Sequence, residues 1–494
     1  MRTTSLAIII LAVLIITPSV VQAKSNYSVT STNFTMSGSA TLPAKTYVWQ
    51  EINGFCAWAA TAMAMQYAGA DVNLYDVFAG SSVGFSFAYF HVNDTILMYP
   101  GALYSQVEPV DFLARYYGIN YTLYVGSTIP YIDQNIQVWQ TEGISVGVLQ
   151  DKDAAFALMR KTIDSGYPLL ISVDPTYLPA SDYNILRENN LTGGGHGILL
   201  VGYNDTLQSA TIIDPGVGSF GDNYGYPQDG RGNYTTISYY DLTRAWSSRY
   251  YISNTFLPGG IPLVNPEAKL GQLIRDKLLG NGLTYSPTST NAYLGKFGQA
   301  GFRAMSTDMT AKGLKSYLSI FDGIKNEVQF KASAIMFIGL GLEAQVTLQY
   351  LSYRTALKVL PSIMPDINLT GFVQAGEKAL PYFEELVDNS TLIYPTNITK
   401  ATGFVATTFK AISESYNSSG NIDDAFAPYV ATLDNISTAL LGIADSWKAA
   451  GQELAKYWPN DFISQHWLVL AIGIGGAAIL AVYFIWWTRK RPSQ

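Results

Sequence analysis

Cys56 is the single cysteine among 494 residues, and it stands in "QEINGFCAWAATAMAMQYAG", residues 50–69, just ahead of an Ala- and Met-rich apolar run. A thiol there has two readings. It is a small apolar residue packed on a buried helix, or it is a nucleophile in that helix's first turn, where the positive end of the helix favours thiolate. The second reading requires a base to ionise the thiol, a group to orient the base, and donors for the oxyanion that follows attack.

Three histidines keep the search for the base short. His466 borders an apolar C-terminal stretch and reads as interfacial, and His91, in "FAYFHVND", reads as a loop or semi-buried structural histidine. His196 follows three glycines in "TGGGHGILLVGY" and begins an apolar strand, an unusual start for a buried segment. Eighteen residues on, Asp214 closes the strand "ATIID" ahead of Pro215. If the two strands form a hairpin through "NDTLQS", Asp214 lies near the same end as His196 and can fix its tautomer. The other reading of Asp214 is an Asx-Pro turn residue. Gln50, six residues before Cys56, can donate its amide to an oxyanion together with the Cys56 backbone N–H.

Gln-x5-Cys at a helix start, then Gly-Gly-His on a strand, then Asp-Pro after the next strand resembles the papain-like cysteine peptidase clan in residue type and chain order. Across about residues 45–257, "YPLLISVD", "GGHGILLVGYND" and "IIDPG" are similar to the bacteriocin-processing (double-glycine leader) peptidase family. With "ISYYDLTRAW" they resemble still more the N-terminal acyltransferase domain of the butirosin biosynthesis protein H family, whose helical second domain "GQAGFRAMSTDMTAKGL" resembles at its start. The resemblance implies Cys56 as nucleophile, His196 as base, Asp214 as orienting residue and Gln50 as oxyanion donor, with no cofactor and no metal.

The elements that must position these residues follow from the pattern. An apolar helix is expected over 54–67 and a second over 107–117, stopped by Gly118. "INYTLYVG", "YPLLISVD", "GGHGILLVGYND", "SATIIDPG" and the two ends of "YTTISYYDLTRAWSSRYYISNTFL" read as strands, with a helix at "DKDAAFALMRKTIDSG". Helices first and strands later favour an α+β, papain-like fold with an antiparallel sheet over alternating βαβ units. The domain layout expected is a signal peptide (1–23), a polar lead-in (24–44), a peptidase-like domain (45–257), a linker with a short helix (258–300) and an all-α domain (301–458) punctuated by prolines that include Pro361. A transmembrane helix (467–487) and a cytoplasmic tail (488–494) follow. Within the α domain, the apolar run 332–342 is too short to span a membrane and reads as a buried core helix.

The ends set the compartment. A charged start, an apolar core and a Val-x-Ala ending at Ala23 form a secretory signal. Residues 467–487 carry no charge, are bordered by tryptophans and precede Arg489, Lys490 and Arg491, which the positive-inside rule keeps cytoplasmic. Asn-x-Ser/Thr sequons begin at Asn26, Asn33, Asn93, Asn120, Asn190, Asn204, Asn233, Asn368, Asn389, Asn397, Asn417 and Asn435, all between those ends. The body is expected outside the cell, tethered to the membrane by one helix. A net charge of −7 without a basic cluster outside the tail gives nucleic-acid binding no electrostatic support. In "PGVGSFGDNYGYPQDGRGN", Asp222, Asn223, Asp229 and Asn233 fit no calcium-loop spacing, so this segment reads as a mobile loop that could cover a substrate. The Tyr-rich run around Tyr239 and Tyr250 is either a binding face or an ordinary half-buried strand surface. Three functions remain: a thiol hydrolase, most simply a cysteine peptidase, acting on a peptide or acyl substrate; an acyl or peptidyl transferase with the same residues; or an inactive adhesion or scaffold protein.

Overall fold

The computed structural model describes residues 38–458, apart from 93–94, 101–108, 131, 142, 193, 281–292 and 395–399. The expected signal peptide, the membrane helix, the tail, His466 and the sequons at Asn26, Asn33, Asn93 and Asn397 lie outside the described residues. In chain order the strands are β1 (Ser39–Thr41), β2 (Phe87–Val92), β3 (Thr95–Pro100), β4 (Ile119–Gly126), β5 (Val146–Leu149) and β6 (Leu169–Val173). They continue with β7 (His196–Asn204), β8 (Ser209–Ile213), β9 (Thr235–Ser238), β10 (Ser253–Pro258) and β11 (Tyr293–Phe297).

Two compact units divide the chain. The first holds the residues up to Val77, Gln106–Pro266 and the short piece Leu392–Thr396; the second holds Phe78–Ser105, Glu267–Thr391 and the residues from Asn397 on. The peptidase-like block expected over 45–257 is thus interrupted by a segment that clusters with the second unit.

In the first unit a sheet runs β5-β4-β10-β6-β7-β8-β9, with β1 paired to the far end of β7. β7 sits inside it, and eight of its nine residues are buried, as an unbroken apolar run predicts. The sheet is not purely antiparallel. β4 and β5 pair in parallel because the helix Ile132–Thr141 carries the chain back between them, a single βαβ unit inside the expected α+β pattern. Helix α1 (Cys56–Tyr67) is apolar on all sides, buries eight of its twelve residues and packs on β7. The helix expected over 107–117 spans Pro109–Tyr116.

Helices dominate the second unit; the stretch expected to be all-α, 301–458, holds only helices among its described elements, and the unit's strands come from outside it. β2, β3 and β11 form a three-stranded antiparallel sheet in the order β11-β2-β3. His91 therefore lies on a strand and not on a loop, and the expected linker 258–300 contains β11 and a helix, Pro266–Leu279. The run 332–342 belongs to the 37-residue helix Glu327–Ile363. Among the described residues it is the one helix long and apolar enough to cross a membrane, yet 72% of its apolar window is buried inside the protein, as expected of a core helix. Pro361 does not break this helix, because it sits in the last turn, where little helix remains to be interrupted. Phe302, Tyr353, Phe383 and Trp447 form the aromatic centre of this unit.

Candidate active site

Placing Cys56 begins with close approach. A Cβ on Gly197 would lie 3.0 Å from the Ala57 Cα, so glycine at that point lets the first turn of α1 rest on β7. No side chain caps the helix at Phe55, and no acidic residue lies in the first turn. The backbone N–H groups of Ala57 and Gly197 and the His196 ring are instead placed where they favour the thiolate form of Cys56.

His196 is the first residue of β7, and Asp214 follows the last residue of β8, which pairs antiparallel with it. The hairpin expected from the sequence brings His196 Nε2 within 2.7 Å of Asp214 Oδ1. With Nε2 engaged there, Nδ1 is the ring nitrogen left for the thiol. Gly216 permits this fit: a Cβ there would lie 2.6 Å from His196 Cε1. Its N–H donates to Asp214 Oδ1 at 2.9 Å. All members are buried, with Cys56 7% and Gln50 0% exposed.

Burial opposes charge on both reacting groups, and the pair overcomes it. Burial pushes the Cys56 thiol up, but His196 and the two backbone donors outweigh it and hold the thiol below its ordinary value of 9.0. Burial likewise pushes His196 down, but the Asp214 carboxylate and then Cys56 raise it from 6.5 to about 10. The arrangement favours the charged forms of both groups, with the Asp214 carboxylate on the far side of the imidazole.

Gln50 reaches the same place by a different route. The Gln50 N–H donates to Pro215 O (3.1 Å), the Tyr47 hydroxyl to Asp214 O (2.7 Å) and the Trp49 indole to Val217 O (3.0 Å). The segment 47–50 is thereby fastened along 214–217. Neither atom of the Gln50 side-chain amide has a hydrogen-bond partner among the described residues. Leaving a buried polar group unpaired costs about 1–3 kcal/mol.

One residue escaped the sequence reading. The Tyr183 hydroxyl, fully buried, lies 2.9 Å from both carboxylate oxygens of Asp214 and 3.1 Å from His196 Nε2. Burial and then the Asp214 charge raise its pKa well above the ordinary value, so it stays protonated and donates to the carboxylate. It sits in a short turn, Ser181–Tyr183, and no motif marks it.

The segment 215–233 is held in place. Its first residues, through Phe220, are buried, Gly218 N donates to Asp182 Oδ1 at 2.8 Å, and Gly225 N donates to Gly218 O. Its remainder, 221–233, is mostly exposed or half-buried. Among the described residues no group of three or more His, Cys, Asp or Glu side chains is placed to hold a metal. Tyr239 opens a helix, and its hydroxyl donates to Asp205, which also takes both Nε and Nη2 of Arg160. That tyrosine is a structural tie.

Residues 41–245 match the Peptidase_C39 like family. The match spans Gln50, Cys56, His196 and Asp214 and agrees with the papain-like cysteine peptidase clan resemblance. No curated protein matches the chain. The C39-like stretch thus contains the whole charge-paired site, while the helical part from Glu267 on lies outside it.

Proposed function

We propose that the C39-like domain is a thiol hydrolase, most simply a cysteine peptidase working through an acyl-enzyme on Cys56. The observation that supports this reading is the buried cluster of the Cys56 thiol, the His196 imidazole and the Asp214 carboxylate, with the fully buried, unpartnered amide of Gln50 six positions before the cysteine. The Cys56 thiolate attacks a carbonyl carbon, and the Gln50 amide donates to the oxygen as it takes up charge. The tetrahedral intermediate collapses, the C–N bond breaks, and the His196 imidazolium gives its proton to the departing amine. Water then attacks the thioester, loses a proton to His196 and releases the acid, which restores the thiolate. Asp214 holds Nε2 and stabilises the imidazolium throughout.

Acyl transfer is the second reading. A site in which Cys56, His196 and Gln50 are all buried limits the access of bulk water to the thioester and favours a bound amine as acceptor. The domain is proposed to face the outside of the cell, carried by the secretory signal and the C-terminal apolar helix read from the sequence. Of the described sequon residues, Asn120, Asn190, Asn368, Asn389, Asn417 and Asn435 are exposed, while Asn204 and Asn233 are half-buried. Exposure there is compatible with glycans.

Cys56→Ala is expected to abolish both acyl-probe labelling and turnover of a peptide library. Unchanged turnover in that variant ends the proposal. A Cys56 thiol unreactive at every pH points to the scaffold reading. Product analysis with and without added amines separates hydrolysis from transfer.

A further inference from the structure

The turn Ser181–Tyr183 brings more to the site than the Tyr183 hydroxyl. Its middle residue, Asp182, carries a carboxylate whose side chain is completely buried. Asp182 Oδ1 accepts from Gly218 N at 2.8 Å, while Oδ2 has no hydrogen-bond partner among the described residues. Arg231 Nη2 faces Oδ1 at 3.6 Å, but that side chain is 36% exposed and also faces Asp229. A charged acceptor holds an N–H about twice as strongly as a neutral one, and burial away from water strengthens the bond further. The bond to Gly218 is therefore a firm one.

Adjacent residues of one turn thus grip one loop at two points. The Tyr183 hydroxyl donates to Asp214, and Asp182 takes the N–H of Gly218. Between those points the loop is tied to itself: Gly216 N donates to Asp214 Oδ1, and Gly216 O accepts from Ser219 N at 3.1 Å. The fit is close, since a Cβ on Gly216 would lie 2.7 Å from the Tyr183 hydroxyl. On its other side the turn is held by Arg187, whose guanidinium donates to the carbonyls of Thr176, Leu178 and Ala180 and does not reach the loop. The Phe220 ring packs edge-on against Tyr183 at 5.7 Å, which adds contact but no hydrogen bond. His196 itself is faced by Cys56 from α1, by Asp214 from the end of β8 and by Tyr183; Tyr47 bonds to the Asp214 carbonyl, and Arg249 stands against Gly195. We propose that Asp182 is a positioning residue: by clamping Gly218 it holds the Tyr183 hydroxyl on the Asp214 carboxylate, and so sets how firmly that carboxylate keeps the proton on His196. This rests on His196 and Asp214 serving Cys56 as proposed above, and the test keeps the two apart.

Ring NMR of labelled histidine follows the His196 imidazole through its titration in the full chain carrying Cys56→Ala, with His196→Ala supplying the assignment. Tyr183→Phe removes a donor from Asp214, so the carboxylate holds the imidazolium more firmly and the midpoint is expected to rise by about half to one pH unit. Asp182→Ala should raise it by at least about half as much, and should add nothing in the Tyr183→Phe background. Asp182→Asn keeps an acceptor for Gly218 and should leave the midpoint within about 0.2 unit of its parent. Asp182→Leu fills the volume without accepting a bond; it should repeat the alanine result and takes its place if the alanine chain does not fold. A midpoint that neither variant moves, or that Asp182→Ala moves as far with Tyr183→Phe as without it, overturns the inference. So does the failure of both variants to fold, which assigns Asp182 to stability alone. Alkylation of Cys56 by iodoacetamide in the native chain checks the hydrolase reading separately: an inert thiol ends that reading, and the midpoints still decide Asp182.

Discussion

Two buried ionisable sites, one in each unit of this chain, fare in opposite ways. In the C39-like unit, the thiol and imidazole answer each other's charge and Asp214 answers the imidazolium, so burial ends in an ion pair. In the helical unit, Glu343 is fully buried in the core helix Glu327–Ile363. Its Oε2 accepts from Ala406 N at 2.8 Å at the start of the helix Phe404–Ser419, and Oε1 has no partner among the described residues. Burial raises it from 4.5 to about 7, against the pull of the helix N–H groups. At Cys56 and His196 the neighbouring charges favour the ionised forms, whereas at Glu343 burial favours the neutral acid and carries a stability cost at high pH.

That contrast can be broken at several points, taken from the largest expected effect. Asp214→Asn should lower kcat/KM by up to about ten-thousandfold, because the imidazole loses the charge that holds its tautomer. Steady-state kinetics on any substrate found by profiling checks it. A loss below tenfold removes Asp214 from the mechanism. Gln50→Ala should cost about 100- to 1,000-fold in kcat with the thermal midpoint unchanged or raised, since the amide serves only the transition state. A loss carried entirely by KM contradicts the oxyanion role.

Smaller effects follow at Tyr183 and Glu343. Tyr183→Phe removes a neutral donor that competes for Asp214, so kcat should fall by about three- to tenfold and the alkaline limb of the pH–rate profile should move to higher pH. A profile that keeps its limb assigns the hydroxyl to packing alone. For Glu343 the folded pKa of about 7 lies above the unfolded value of 4.5, so the folded state binds the proton more tightly and loses stability as pH rises between those values. Glu343→Gln, which imitates the protonated acid, should therefore match the native chain at pH 4 and exceed it by roughly 2–3 kcal/mol at pH 8 in denaturant titration. Equal stabilities at pH 8 contradict the uncompensated burial.

The sequence made the site legible where local chemistry and topology coincide. "GGHGILLVGYND" and "SATIIDPG" announce two buried strands with a short turn, and antiparallel pairing alone then brings His196 to Asp214. Gln50 and Cys56 are joined by six residues of chain and a helix start. Tyr183 was hidden because it reaches the carboxylate from a separate turn, and a lone tyrosine carries no spacing signal. The β2–β3 hairpin was hidden by its composition. "FSFAYFHV" alternates too weakly to read as a strand, and its other neighbour, β11, is remote in the chain. The parallel β4–β5 pair was missed because its crossover helix, "IDQNIQVWQT", is short and polar.

The most direct test of the thiolate–imidazolium pair is the pH dependence of Cys56 alkylation by iodoacetamide, in the native chain and in His196→Ala. The ion pair predicts a reactive plateau that extends well below the ordinary thiol value of 9.0 and is lost in His196→Ala. A native chain whose reactivity rises only through pH 9 or above, and which His196→Ala leaves unchanged, contradicts it.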